Sequence, residues 1–312
     1  MASPTPPSAP PPAPSSGPTA HLDPVGPGVW AWVQPDGRFG VANAGVVADD
    51  DGLTVIDTLM VPSQWEPFGA AVDALGVPVR RVVLTNAHID HVGGTWRFRL
   101  AAIYGSTATS AQLDRPADPA IYRRLLPDLA GGFDDLEAHR AAIAAEEVAS
   151  PLPRDVGLTR GVTHEVDDPV ALTPRVELLP VTGHTDGDLL VVVADADVAF
   201  LGGIGWSGST PLALHGDPAT WADVLDVVAD LAEVIVPGHG PVERGDDAPR
   251  RDLQAYLRAC VAADGDPAAV GPGPWDAWVD RRFDAVNVER AALVARGDPS
   301  TPPAMLRLLG LA

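Results

Sequence analysis

The chain has 312 residues, is 46% hydrophobic, and carries a net charge of −21; its 21 basic residues are all arginine. That length holds one large domain or two ordinary ones with a sizeable core. No apolar run approaches the ~20 residues of a membrane span, and an acidic surface repels a phosphate backbone, so neither a membrane nor a nucleic acid is the expected partner.

The N-terminus, MASPTPPSAPPPAPSSGPTA, lacks the basic start and apolar core of a secretory signal, which points to the cytoplasm. Residues 1–25 are read as a disordered Pro/Ala/Ser-rich tail. From Val29 the runs VWAWVQ, FGVANAGVVADD and LTVIDTL, split by PDG and DDDG turns, predict a strand meander. QWEPFGAAVDALG reads as a helix and VRRVVLT as a buried strand. Past Gly94, AIYRRLLPDLA and DLEAHRAAIAAEEVAS have helical spacing and are read as part of an insert covering about 105–165. Strands resume at VELLPVT, LLVVVADADVAFLGG and AEVIVPG, with ATWADVLDVVADL as a helix between the last two. Beyond Pro241 the pattern is mostly helical. The expected plan is therefore an α/β sandwich over 26–245 and a helical extension over 246–312, the latter a candidate surface for a homodimer. The single cysteine, Cys260, lies in the helical stretch QAYLRACVAA and reads as core packing.

Four segments place metal-type residues or glycines at strand ends: Asn86-Ala-His88-Ile-Asp90-His91 with Gly93 and Gly94 behind it, GHTDGD with His184, FLGGIGW, and PGHGP with His239. Imidazole and carboxylate suit zinc, iron or manganese, and loops at strand ends are where a rigid scaffold presents such groups. A single histidine after a strand says little; two imidazoles and a carboxylate within four residues have few structural uses. Of the remaining candidates, His215 and Trp206 lie near the expected mouth and could touch substrate, and Asp57 could orient a metal-held histidine. His21, His139 and His164 read as incidental.

Taken in this order, the segments resemble the metallo-β-lactamase-fold hydrolase superfamily. Its first motif, His-x-His-x-Asp-His, stands here as Asn86-Ala-His88-Ile-Asp90-His91; GHT brings His184, PGHG brings His239, and FLGG falls where many members carry a bridging aspartate. The resemblance spans roughly 28–242. It implies a four-layer αββα sandwich and a metal site built from His88, Asp90, His91, His184 and His239, with Asp90 and Asn86 as the catalytic candidates. The implied activity is hydrolysis of a small-molecule ester, thioester, lactone or lactam through a metal-bound hydroxide.

Two departures bear on the chemistry. Asn86 replaces the first histidine, and Gly203 stands where the bridging aspartate would be. A neutral amide is a weaker donor than imidazole, whereas Asp90, His91 and His239 make a three-ligand set that leaves a position for water. One zinc is expected and two are compatible; iron or manganese is the alternative. An iron-dependent oxidoreductase, a non-hydrolytic tailoring enzyme of natural products and a metal-free binding protein stay open as other readings.

Overall fold

Nearly every central strand of this chain is apolar on both faces, and that pattern dictates the architecture. The computed structural model describes residues 20–114, 119–149, 155–156, 159–228 and 230–311. Of the predicted tail, residues 1–19 lie outside the described residues. Its last part belongs to the sheet: β1 (Leu22–Gly26) pairs antiparallel with β2 (Val29–Trp32). Pro24 had masked this strand, but a sheet edge tolerates a residue that donates no hydrogen bond.

The meander continues through β3 (Ala44–Asp49) and β4 (Gly52–Ile56). β5 (Val79–Val83) and β6 (Ala102–Gly105) then join in parallel. α1 (Pro62–Asp73) links β4 to β5 and α2 (Ile89–Val92) lies between β5 and β6, while α3 (Thr107–Leu113), α4 (Pro119–Leu125) and α5 (Ala130–Ala149) follow β6. The short strands β7 (Asp155–Val156) and β8 (Thr159–Arg160) pair with each other. β9 (His164–Glu165) closes the first sheet beside β6. The second sheet runs β10 (Val170–Ala171), β11 (Glu177–Val181), β12 (Asp188–Val193), β13 (Val198–Trp206), β14 (Val234–His239) and β15 (Glu243–Arg244). The run LLVVVADADVAFLGG is two of these strands, because Asp197 turns the chain in the left-handed region. α6 (Pro218–Val228) bridges β13 and β14, the only parallel neighbours among the described strands of this sheet.

Alternation assigns the faces. Val47, Val83, Val191, Phe200 and Val236 form one apolar layer between the two sheets. Their neighbours Val46, Val82, Leu190, Leu201 and Ile235 point outward and are covered by helices. On α1, Trp65, Phe68 and Val72 are fully buried at helical spacing. The sheets approach closely: a Cβ on Gly45 would stand 2.2 Å from the Phe200 ring. The result is a mixed α/β structure of two sheets clad by helices, as the resemblance implied.

The C-terminal helices α7 (Ala248–Ala262), α8 (Asp284–Ala295) and α9 (Pro303–Leu308) pack into the same outer core. Leu253, Tyr256, Leu257 and Cys260 form the buried face of α7. Burial pushes the Cys260 thiol up to about 12, where almost no thiolate exists at neutral pH. Native protein is expected to show no reaction of this thiol with a disulfide reagent such as DTNB, and one thiol per chain once denatured; rapid reaction in the native state would contradict the packing.

Candidate metal centre

The ends of β4, β5, β11 and β14 deliver the polar groups to one place. Asp57 follows β4 in the left-handed region and is buried. Its Oδ1 accepts the Thr85 backbone N–H at 2.8 Å, and its Oδ2 accepts the Thr85 hydroxyl and His91 Nδ1, both at 2.7 Å. Since a carboxylate can only accept, Nδ1 carries a His91 proton, and Nε2 is the ring nitrogen open to a cation. On the other side, His239 Nδ1 donates to the Arg38 carbonyl at 3.2 Å, which leaves Nε2 free in the same way. The two Nε2 atoms are buried and have no hydrogen-bond partner.

Asp90 completes the group. One of its carboxylate oxygens lies 3.4 Å from His239 Nε2. Single donor atoms from Asp90, His91 and His239 all fall within 4.8 Å of one another, and among the described residues no other set of three does so. Two imidazole nitrogens with matched tautomers and one carboxylate are a donor set that suits zinc. Two buried nitrogens left without partners would otherwise cost stability. The residues present therefore fit a cation. Burial opposes charge on His91, but Asp57 overrides it and raises the ring to about 9. Burial, followed by the surrounding histidines, holds His88 and His239 well below the ordinary value.

The other sequence candidates are placed as follows. Asn86 is fully buried; its Oδ1 accepts the His88 backbone N–H at 2.8 Å and its Nδ2 donates to the Thr85 hydroxyl at 3.3 Å. The amide thus shapes the turn that enters α2. His88 Nε2 lies 3.0 Å from His215 Nδ1, and the His88 ring stands edge-on to His184 with centroids 4.6 Å apart. His184 packs against Trp221, and its Nδ1 is 3.6 Å from Asp188 Oδ1. A Cβ on Gly203 would stand 2.1 Å from His184 Nδ1, so the His184 ring fills the space that a side chain at 203 would need. Trp206 stacks on His239 with centroids 3.6 Å apart and donates its N–H to the Gly203 carbonyl. It backs the His239 ring and does not line the adjoining chamber.

Three supporting residues went unread in the sequence. Thr85 ties the end of β5 to Asp57. Asn43 accepts from the Gln34 N–H and donates to the Pro237 and Gly240 carbonyls on either side of His239. Asn287 of α8 is fully buried; it accepts from the Ala213 N–H and donates to the Pro211 carbonyl and the Tyr256 hydroxyl. A buried asparagine on an amphipathic helix was the available signal, but its partners Ala213 and Pro211 lie more than seventy residues away. Arg290, one turn on, donates to the Gly216 carbonyl, so α8 holds both ends of the segment that carries His215.

A chamber of about 300 Å³ opens beside the centre. His88, Asp90 and His215 stand in its wall, and the remaining lining is almost entirely apolar. α4 supplies Ile121, Tyr122 and Leu125, while Leu212 and Leu214 come from the loop that α8 holds. The Tyr122 phenol is raised by burial and by Asp90, and so keeps its proton.

A sequence model described as the metallo-beta-lactamase superfamily matches residues 37–239. Among solved structures, the FIM-1 metallo-beta-lactamase from Pseudomonas aeruginosa, in its mono-zinc form, aligns with TM-score 0.52 and 20% identity over 77% of this chain and 93% of that one. A metallo-beta-lactamase from Hirschia baltica aligns with TM-score 0.52 and 16% identity, covering 76% of this chain and 97% of its own. DIM-1 metallo-beta-lactamase, exposed to ceftazidime, gives TM-score 0.55 and 15% identity over 77% and 97%. At these identities the likeness to the solved structures is one of fold.

Two measurements check the supports. Asp57→Asn puts an amide where His91 needs an acceptor for its Nδ1 proton; zinc affinity, read by competition with a chromogenic chelator, should fall about 10–100-fold, and an unchanged affinity would remove Asp57 from that role. Asn287→Ala leaves the Ala213 N–H and the Pro211 carbonyl without their partner, at about 1–3 kcal/mol for each group that stays unsatisfied. That loss should appear as a lower urea midpoint with an unchanged slope.

Proposed function

Since the chain belongs to the metallo-beta-lactamase superfamily, we propose that it is a metal-dependent hydrolase, with one zinc ion held by Asp90, His91 and His239, acting on a small-molecule ester, thioester, lactone or lactam. The observation that carries this reading is the pair of buried, partnerless Nε2 atoms on His91 and His239, aimed with the Asp90 carboxylate beside a substrate-sized chamber. When bound, the ion supplies Lewis acidity and makes water a nucleophile at neutral pH.

The chain's own residues do the rest. Asp57 and the Arg38 carbonyl each hold an Nδ1 proton and so orient the two rings; because Asp57 also raises His91 to about 9, metal binding at neutral pH would release a proton from its Nε2. Asp90 would help hold the ion, and its carboxylate is placed to orient a water and take its proton. Tyr122, which retains its phenolic proton in the chamber wall, can donate to a carbonyl oxygen as charge builds there. The apolar lining excludes water from the acyl group.

One ion is favoured over two for three reasons. The Asn86 oxygen is engaged by the His88 backbone. His88 Nε2 is paired with His215. The place for a bridging side chain at 203 is filled by the His184 ring.

Metal content and turnover of a broad ester and lactone panel test the proposal together. Wild type purified without added zinc or chelator should hold about one equivalent. Asp90→Ala and His239→Ala should each lose metal and turnover together, whereas Asn86→Ala should keep the metal. Full turnover in the Asp90 variant would overturn the assignment.

A further inference from the structure

The chamber beside the metal centre carries a statement about substrate that goes beyond the reaction class and rests on the hydrolase reading above. One wall is the chain's own C-terminal segment: Met305 and Leu306 of α9, followed by Leu309 and Leu311. Facing them across the space are Ile121 and Leu125 of α4. The two walls are tied together, since Arg124 on α4 donates to the Leu309 carbonyl. α9 is in turn held to α8, where Glu289 accepts the Ala304 N–H at 2.5 Å and pairs with Arg307 at 2.7 Å.

The charge pattern is as telling as the shape. Among the described residues no arginine lines the chamber. Arg124, Arg282 and Arg290 on the surrounding helices donate to backbone carbonyls, of Leu309, Leu125 and Gly216 respectively. A carboxylate carried into this space would be stripped of water and find no cation, which is a large cost. A neutral apolar group would gain from every methylene buried.

We propose that the chamber between α4 and the C-terminal segment is an acyl pocket, which makes the substrate a carbonyl compound with an uncharged, lipophilic acyl chain and selects against chains that bear a carboxylate. The chamber's size suits an acyl chain of several carbons. The carbonyl end meets Asp90 and His88, and the hydrocarbon runs toward Leu306 and Leu309.

Calorimetry with unreactive amides tests the pocket independently of turnover. The probes are butyramide, octanamide and the octanamide analogue with a carboxylate at its far end, each titrated into wild type and Leu306→Trp purified without added metal or chelator. Octanamide should bind at least about tenfold more tightly than butyramide, since each buried methylene is worth about a factor of four. The carboxylate analogue should bind more weakly than octanamide, and Leu306→Trp, which fills the far end, should abolish the preference for the longer chain while its thermal transition stays cooperative. Equal affinity for the two amides, an unimpaired carboxylate analogue, or a chain-length preference that survives Leu306→Trp would each overturn the proposal. Should that variant fail to fold, Leu125→Trp from the α4 wall gives the same reading. Turnover of p-nitrophenyl esters from acetyl to decanoyl then separates the two ideas. Chain-length-selective binding without turnover of any ester leaves the pocket standing and defeats the hydrolase; turnover with no dependence on chain length defeats the pocket and leaves the hydrolase.

Discussion

A buried carboxylate that must not be left alone organises this molecule. Asp57 emerges from β4 in a backbone conformation that L-residues seldom adopt, and is almost entirely shielded from water. A charge in that position is costly unless every lone pair is engaged. The Thr85 N–H, the Thr85 hydroxyl and the His91 ring engage it. Those bonds pin the end of β4 to the end of β5, fix the start of α2, and choose the tautomer of His91. Strain, desolvation and hydrogen bonding are thus resolved in a single geometry, and the imidazole nitrogen that points away from Asp57 is ready for a cation.

The opposite half of the centre depends on a different kind of constraint. His239 ends β14, the carbonyls on either side of it are held by Asn43, the residue just ahead of β3 in the first sheet, and its ring is pressed flat against Trp206. The centre therefore spans both sheets. It can form only if the valine and phenylalanine layer between them packs correctly, so the stability of the core and the precision of the site are coupled.

The two departures from the superfamily pattern are consistent with each other in three dimensions. With glycine at 203, the His184 ring can occupy the space a side chain would take. With asparagine at 86, the residue ahead of His88 becomes a turn-former whose amide oxygen caps the backbone. The His88 ring then meets His215, which arrives from a loop clasped by α8. The C-terminal helices are accordingly more than an appendage: they hold that loop and wall the chamber.

The sequence by itself pointed to the class of fold and to the residue types of the candidate centre. Two-sided apolar strands can be buried only between layers, and His88-Ile-Asp90-His91 at a strand end, with His184 and His239 after later strands, has few uses other than holding a cation. It also showed the chemical meaning of Asn86 and Gly203 as departures, since donor strength belongs to the residue type. It did not show β1, because Pro24 reads as a break until the strand is known to lie at an edge. It gave no hint that Trp206 would back His239, or that Asn43 and Asn287 would hold distant loops, because a hydrogen bond between residues far apart in the chain leaves no local periodicity. Which of the histidines converge, and what surrounds them, was decided by tertiary structure alone. Ligand type is a property of a side chain, but the distance between two ligands is set by the packing of the strands that carry them.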